Sequence, residues 1–139
     1  MPYKLFIVED HPIIRSAYVR MIQRQPDLEV CGEAENASQA LELIPHTAPD
    51  LVLVDISLPG MNGIELLNQL KALHPDLPTL VISGHEEALY AQLALQAGAK
   101  GYLVKAGLAE VMISAIRHIL AGKSYFSDEL RQKIAVVFA

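Results

Sequence analysis

The chain has 139 residues, of which 52% are hydrophobic, and a formal net charge of −5 at pH 7. This length suits one domain with a core of its own, and the hydrophobic content argues against disorder. The negative charge disfavours direct binding to nucleic acid, and the sequence holds neither a GxxxxGK[ST] phosphate loop nor a zinc-type cluster of cysteine and histidine.

Three features of the chain predict a cytoplasmic location. Every apolar run falls short of the roughly 18 residues that a transmembrane helix needs. The opening MPYKLFIVED lacks the design of a signal peptide. The single cysteine, Cys31, cannot form an internal disulfide, which fits a reducing compartment.

Short apolar runs alternate with segments of helical period along the chain. The runs that predict strands are KLFIV, LEVCGEA, LVLVD, TLVIS and GYLVK. Apolar residues at helical spacing between Ile14 and Ile22 predict the first helix. Asn36 is the expected N-cap of the second helix, with Gln39 at the capping-box position, and Pro45 is expected to end that helix.

Three further apolar stripes predict the remaining helices. Gly98 and Gly122 are the expected stops of the fourth and fifth helices. Five strand–helix repeats with right-handed crossovers predict a parallel sheet with helices on both faces. The third and fourth runs do not alternate with polar residues, as expected of strands buried on both sides. The stripes are Leu66, Leu67, Leu70 and Leu73; Tyr90, Leu93, Ala94 and Ala97; and Met112, Ala115, Ile116, Ile119 and Leu120.

Polar and charged side chains that could take part in binding or catalysis follow four of the five predicted strands. Glu9 and Asp10 follow the first strand, and Asp55, Ser83 and Lys105 stand at the ends of the third, fourth and fifth. The carboxyl ends of parallel strands lie at one edge of a sheet, where open α/β sheets bind their ligands. We therefore expect these five side chains to face one crevice.

The expected crevice would hold three carboxylates. Two carboxylates about 4 Å apart repel by roughly 4 kcal/mol at an effective dielectric constant near 20, so the group would raise its pKa values or bind a cation. Oxygen ligands suit a hard divalent ion, with Mg²⁺ as the default. A metal and Lys105 on either side of one carboxylate could stabilise a transferred phosphoryl group. Taken singly, each of these residues is more often a helix cap, a loop residue or a residue of an edge strand. Only their predicted position together at the carboxyl edge of the sheet favours a functional site.

Four segments of the sequence resemble the receiver domain of two-component response regulators. They are IVEDH, LVLVDISLPGMNG, VISG and GAKGYLVKA, and the resemblance covers residues 3 to about 122. It implies an α/β, flavodoxin-like (βα)5 fold, a doubly wound parallel sheet with strand order 2-1-3-4-5. It also implies a receiver (phosphoacceptor) domain over residues 1–122, then a linker or C-terminal helix over residues 123–139 that would lead to an output domain absent from this chain.

The resemblance implies a role for each residue of the crevice. Asp55 is similar to the phosphoacceptor, which takes a phosphoryl group from a phosphohistidine on a sensor histidine kinase or phosphotransfer protein. Glu9 and Asp10 resemble the acidic residues that bind Mg²⁺, together with Asp55 and the backbone carbonyl of Ser57. Lys105 would pair with the phosphoryl oxygens.

Ser83 and Tyr102 resemble the conformational switch of the family. The serine hydroxyl would move to hydrogen-bond the phosphoryl group, and the aromatic side chain would turn inward with it. Without the resemblance, Tyr102 would read as a strand residue packed against a helix. The sequence departs from the commonest pattern of the family at two positions. Glu9 replaces the more frequent first aspartate. Ala106 follows Lys105 where many receivers have proline, so the peptide bond between Lys105 and Ala106 is expected to be trans.

The segments EDHPIIR and GAKGYLVKAGLAEVMISAIRHILAGKSYFS resemble receivers of the LuxR/NarL class, which normally precede a helix-turn-helix domain. The final residues DELRQKIAVVFA cannot supply a recognition helix and its scaffold, although Leu130, Ile134, Val137 and Phe138 fit one helical face. The chain is then expected to be either a receiver that ends within an inter-domain linker or a stand-alone receiver.

The histidines and the fifth helix carry weaker signals. None of the five histidines has metal-ligand spacing, and a spectator role is favoured for His11 and His85, which flank the expected crevice. Val111 and Ile113 widen the apolar arc of the fifth helix. This fits either a homodimer face or the core packing of a short helix.

The function that the resemblance implies is a phosphorylation-controlled switch, which catalyses only its own phosphorylation and dephosphorylation. It would control transcription through the missing domain, with DNA contacted only there and no membrane partner. One alternative is a pseudo-receiver that binds partners without phosphorylation. A phosphohydrolase is disfavoured because such enzymes typically have a second aspartate where Ser57 stands, and a flavodoxin-like electron carrier because EDHP follows the first strand in place of a phosphate loop.

Overall fold

Five strands alternate with five helices in the computed structural model of the chain, which describes residues 2–56, 62–84, 88–105, 107–126 and 131–132, with the backbone alone at 88–89. The order of the elements is the one that the sequence predicts. The strands are β1 (Tyr3–Val8), β2 (Leu28–Ala34), β3 (Leu51–Asp55), β4 (Thr79–Ser83) and β5 (Gly101–Val104). The helices are α1 (Pro12–Gln23), α2 (Ala37–Thr47), α3 (Gly63–Leu73), α4 (Ala88–Gln96) and α5 (Leu108–Leu120).

The strands form one parallel sheet in the order β2-β1-β3-β4-β5. This is the flavodoxin-like arrangement, so both the fold class and the strand order are confirmed. The chain runs from β1 outward to β2 and then returns to β3 on the other side of β1. Helices therefore leave the neighbouring strands β1 and β3 toward opposite faces, and a crevice opens at the carboxyl ends of these two strands.

The core has one layer on each face of the sheet. Helices α2, α3 and α4 cover one face, and α1 and α5 cover the other. Strands β3 and β4 are buried along their whole length, as their lack of alternation predicts. The first layer includes Phe6, Val52, Val54, Ile44, Leu66, Leu70 and Tyr102, and the second includes Leu5, Leu51, Leu53, Ile22, Met112 and Ile116.

Helix α2 continues past the proline that the sequence predicts as its end, so this prediction is wrong. Pro45 lies inside the helix, which ends at Thr47. A proline in the last turn removes only a terminal hydrogen bond, and the neighbouring groups keep the turn intact. Ala48, in the left-handed region with φ 46°, donates its N–H to Ile44 O at 3.1 Å, and the hydroxyl of Thr47 donates to the same carbonyl at 3.2 Å.

Other predicted helix ends are confirmed. The side chain of Asn36 accepts a hydrogen bond from Gln39 N at 2.9 Å, while the side chain of Gln39 reaches back to Glu35 N. Gly98 and Gly122 follow α4 and α5 with φ of 96° and 89°. Positive φ is the conformation that only glycine adopts without strain, and both residues turn the chain at a helix end.

The segment after α5 lies along the free edge of β5. Tyr125 N donates to Lys100 O at 2.8 Å, and Tyr102 N donates to Tyr125 O at 3.1 Å, so Tyr125 forms a parallel bridge with Gly101. This contact covers part of an edge that would otherwise expose unpaired backbone groups. The residues expected to form one apolar helical face, Leu130, Ile134, Val137 and Phe138, lie outside the described residues. In the parts of the chain that the structure describes, none of the helices has the length and apolar character to cross a membrane.

Candidate functional site

Glu9 and Asp55 lie side by side at the crevice between β1 and β3. Val8 of β1 is paired with Val54 of β3. Glu9 follows Val8 and Asp55 follows Val54, so the two acidic residues lie at matching positions on neighbouring strands. Both side chains are buried, with exposures of 1% for Glu9 and 3% for Asp55. Asp10 follows at the start of the loop to α1 and is partly exposed. The topology therefore explains why these acidic residues meet.

The acidic side chains form one cluster with a lysine at its edge. One oxygen each of Glu9, Asp10 and Asp55 and one ring nitrogen of His11 lie within 4.8 Å of one another. The ammonium of Lys105 is 3.4 Å from Asp55 Oδ2 and 3.6 Å from Glu9 Oε1. The structure thus brings together the carboxylates and the lysine that the sequence places at strand ends.

The two predicted switch residues occupy buried positions on β4 and β5. Ser83 ends β4, is fully buried, and lies one register position beyond the pair formed by Asp55 and Ile82. Its carbonyl accepts a hydrogen bond from Lys105 N at 2.8 Å, which links the ends of the two strands. Tyr102 is 1% exposed and belongs to the core layer under α2, α3 and α4.

Three of the predicted features lie outside the described residues. These are the backbone carbonyl of Ser57, the peptide bond before Ala106, and His85. Their roles stay predictions. His11 does lie at the site: its ring is exposed, and Nδ1 is 3.1 Å from Asp10 Oδ1. Only its position next to Asp10 in the sequence could have signalled that it joins the cluster.

The cluster has the chemistry of a cation site. No hydrogen bond from the described residues reaches Glu9 Oε1 or Asp10 Oδ1, although both oxygens are buried. Lys105 Nζ lies 3.6 Å from Glu9 Oε1 and His11 Nδ1 lies 3.1 Å from Asp10 Oδ1, but neither contact has the geometry of a hydrogen bond. A bound cation would offset the free-energy cost of burying these two oxygens. Three carboxylates supply the oxygen ligands that hard divalent ions prefer. The residues present therefore fit the metal site of a receiver domain.

Glu9 has an altered proton affinity in this environment. Burial is the largest cause and the adjacent carboxyl group of Asp55 is the next, and together they raise the pKa of Glu9 to about 8. The ammonium of Lys105 acts in the opposite direction. Without a bound cation, the cluster therefore keeps a proton on Glu9 at neutral pH.

We expect the metal-free protein to become less stable as the pH rises toward 8. Glu9 keeps its proton up to about pH 8 when folded and loses it near 4.5 when unfolded, so the unfolded state binds fewer protons in this window. The free energy of unfolding, measured by urea titration with a chelator present, should fall by about 1 kcal/mol or more between about pH 5.5 and about pH 8. Glu9→Gln should remove this decrease, and equal pH profiles of the two proteins would contradict the prediction.

Gly63 lets α3 pack directly on the backbone that follows Asp55. Its N–H donates to Ile56 O at 3.1 Å, and Asn62 caps the helix by accepting from Glu65 N at 2.9 Å. A Cβ at Gly63 would lie 2.5 Å from Ile56 Cα and 2.7 Å from Asp55 O. Since both neighbours are backbone atoms, the lack of a side chain here helps to set the position of Asp55.

Gly63→Ala should destabilise the protein by about 2–3 kcal/mol, because the helix or the strand end must shift to relieve the overlap. Thermal unfolding measures the loss. Gly84→Ala is the matched control, since a Cβ at Gly84 meets no atom of the described residues within 4 Å and the residue has no positive φ. Similar unfolding temperatures for the two variants would show that the close approach at Gly63 carries no cost.

Comparison with known proteins gives consistent matches. Residues 5–117 match the family model of the response regulator receiver domain. The response regulator GacA of Pseudomonas syringae pv. syringae (strain B728a) is 37% identical over 134 residues, which cover 96% of this chain and 62% of GacA. The nitrate/nitrite response regulator NarL of Escherichia coli K12 is 37% identical over 136 residues, with the same two coverages. The chain thus spans about three fifths of the length of these curated relatives.

Solved structures of similar proteins share the fold over nearly the whole chain. A two-component response regulator of the LuxR family from Aurantimonas sp. SI85-9A1 has a TM-score of 0.92 at 35% identity and covers 99% of both chains. A DNA-binding response regulator of the LuxR family from Staphylococcus aureus has a TM-score of 0.79 at 26% identity, covering 85% of this chain and 98% of its own.

Proposed function

Because the chain belongs to the response regulator receiver family, we propose that it accepts a phosphoryl group on Asp55 from a sensor histidine kinase or a phosphotransfer protein. The family itself implies a cognate histidine kinase as partner, and a receiver domain is not a conventional enzyme. One observation carries the proposal: a buried Asp55 carboxylate lies within an acidic cluster and 3.4 Å from the ammonium of Lys105.

The carboxylate of Asp55 is the proposed nucleophile. One of its oxygens attacks phosphorus, an oxygen–phosphorus bond forms, and the phosphorus–nitrogen bond to the donor imidazole breaks. The electron pair of the broken bond leaves with the imidazole, which regains neutrality through proton transfer. Attack uses the carboxylate form of Asp55, and the Lys105 ammonium lies 3.4 Å from its Oδ2.

Lys105 and Ser83 are the proposed partners of the transferred group. The ammonium at 3.4 Å from Asp55 Oδ2 compensates the charge that develops on the phosphoryl oxygens. Ser83 ends the strand next to Asp55, and its hydroxyl would donate a hydrogen bond to a phosphoryl oxygen. The bond from Lys105 N to Ser83 O would keep these two donors in register.

Glu9, Asp10 and Asp55, with the carbonyl of Ser57, would hold Mg²⁺. When bound, this ion would offset the repulsion among the carboxylates and the charge of the transferred group. The assignment is supported by Glu9 Oε1 and Asp10 Oδ1, which are buried and accept no hydrogen bond from the described residues. Glu9 must release its proton before its carboxylate can take part, directly or through water.

Phosphorylation would act as a population shift. The added charge favours the conformer in which Ser83 and Tyr102 are drawn in, and Tyr102 is already buried in this structure.

We propose residues 1–122 as the receiver and 123–139 as the linker to a helix-turn-helix domain that regulates transcription. The LuxR/NarL class of the relatives, and their greater length, support this division. A homodimer face on α5 and a cytoplasmic location belong to the same proposal.

The test is direct phosphorylation by a small donor. Incubation with acetyl phosphate and Mg²⁺ should add one phosphoryl group, detected by intact mass and mapped to Asp55 by peptide analysis. A chelator should prevent the addition. Failure to take up either Mg²⁺ or the phosphoryl group would favour the pseudo-receiver alternative, and multiple turnover of an aryl phosphate would favour the phosphohydrolase.

A further inference from the structure

Arg15 crosses the end of β1 with two hydrogen bonds. From the first turns of α1, its Nη1 donates to the backbone carbonyl of Glu9 at 2.8 Å, and its Nε donates to Glu33 Oε1 on β2 at 3.2 Å. Its side chain is only 18% exposed. Because a guanidinium is a rigid planar fork, two bonds from different nitrogens fix its orientation as well as its position.

The two polar backbone groups of Glu9 are both held from the β2 side. Its N–H donates to Ala34 O at 3.0 Å, which extends the sheet pairing by one residue. Its carbonyl accepts from Arg15, which is itself anchored on Glu33. The carbonyl of Glu9 belongs to the peptide that leads into Asp10. The plane of this peptide therefore depends on the bond from Arg15.

We propose that Arg15 is a positioning residue for the metal-binding carboxylates, which holds the peptide between Glu9 and Asp10 so that both side chains aim into the cluster. The inference rests on the proposed function for the identity of the metal. Repulsion within the acidic cluster would otherwise turn the more exposed Asp10 toward solvent, since Asp10 lies beyond the end of β1 at Val8 and pairs with no strand in the described part of the chain.

If Arg15 acted only through its positive charge, its removal would change the Mg²⁺ affinity in the direction opposite to that expected for a positioning residue. Its two hydrogen bonds go to a backbone carbonyl and to Glu33, whereas the ammonium of Lys105 lies 3.6 Å from the Glu9 carboxylate. Removing a positive charge near a cation site makes the site more negative and tightens Mg²⁺ binding. Removing a positioning residue loosens the ligand geometry and weakens binding. The sign of the change therefore separates the two roles.

The experiment measures Mg²⁺ affinity of the 139-residue chain by calorimetry. Arg15→Ala should weaken binding by about 10-fold, the lower end of the range for residues that orient metal ligands. Arg15→Lys should recover part of the loss, because one ammonium can reach the Glu9 carbonyl but cannot hold Glu33 with the same fork. Arg20→Ala, which removes the same charge from an exposed position on α1, should leave the affinity unchanged.

A second measurement does not depend on the metal. In the metal-free protein, amide hydrogen exchange should accelerate in Arg15→Ala at Glu9, whose N–H is bonded to Ala34 O, and stay slow at Val54 in the centre of the sheet. Glu33→Ala keeps Arg15 but removes its anchor, and it should produce a smaller change of the same kind. Unchanged exchange in Arg15→Ala, or Mg²⁺ affinity equal to or tighter than that of the parent, would overturn the inference. A parent protein without Mg²⁺ affinity would instead overturn the proposed function, while the exchange result would still test Arg15.

Discussion

Asp55→Asn is expected to abolish phosphorylation by acetyl phosphate, with a decrease of about 100-fold or more, as expected when a nucleophile is lost. The amide has nearly the same shape as the carboxylate, so the core around this buried residue should remain packed. Its nitrogen and oxygen are poor nucleophiles, and the variant cannot form an acyl phosphate. Intact mass after a timed incubation with Mg²⁺ measures the effect.

Removal of this carboxylate should also stabilise the metal-free protein. Asp55 lies in one cluster with Asp10 and Glu9 and opposes the ionisation of Glu9, so loss of its negative charge relieves repulsion within the cluster. We therefore expect a higher unfolding temperature in the presence of chelator. A stabilised variant that no longer accepts phosphate would separate loss of chemistry from loss of fold.

Asp50→Asn is the matched control for this substitution. Asp50 precedes β3, at the end of the strand opposite to Asp55, and its Oδ2 accepts a hydrogen bond from Lys4 N at 2.8 Å. An asparagine keeps this acceptor. Labelling of Asp50→Asn should equal that of the parent protein. If Asp55→Asn were labelled at the parental rate, the phosphoacceptor would have to be another residue.

Lys105→Met is expected to separate metal binding from phosphoryl transfer. The methionine keeps most of the length of the side chain but removes the ammonium that lies 3.4 Å from Asp55 and 3.6 Å from Glu9. Transfer from acetyl phosphate should slow by about 100-fold, the scale of losing one preorganised charge at a reacting centre. Mg²⁺ affinity should be retained or increase, because a positive charge next to the cation site is lost.

The control for this prediction lies at the other end of the same strand. Lys100 precedes β5 and is exposed, so Lys100→Met makes the same chemical change away from the acidic cluster. It should leave both the Mg²⁺ affinity and the labelling rate unchanged. A parallel loss of metal affinity and transfer in Lys105→Met would instead assign the lysine a structural role.

Much of the fold follows from local patterns in the sequence. The unbroken apolar runs of β3 and β4 predict strands buried on both faces, and both are buried throughout. The end of α2 was not predictable in this way. Within a helix, Pro45 removes one hydrogen bond, and the tolerance of that loss depends on the bonds that Ala48 and Thr47 make around the same turn.

The sequence by itself determined the order of the elements, the faces that they bury, and the acidic, hydroxyl and amino groups that end four of the five strands. These properties follow from the periodicity of one segment at a time, together with the rule that parallel strands share a carboxyl edge. They were sufficient to predict that Glu9, Asp55 and Lys105 would meet.

Only the tertiary structure decided how those groups are held and charged. The raised pKa of Glu9 depends on its burial beside Asp55, and the fit of Gly63 depends on an approach of α3 that leaves no room for a Cβ. The contact of Arg15 with the Glu9 carbonyl needs α1 and β2 in place at once. The pKa of Glu9, the fit of Gly63 and the contact of Arg15 all depend on distances between separate elements. Packing fixes these distances to within a few tenths of an ångström, and no local residue pattern specifies them.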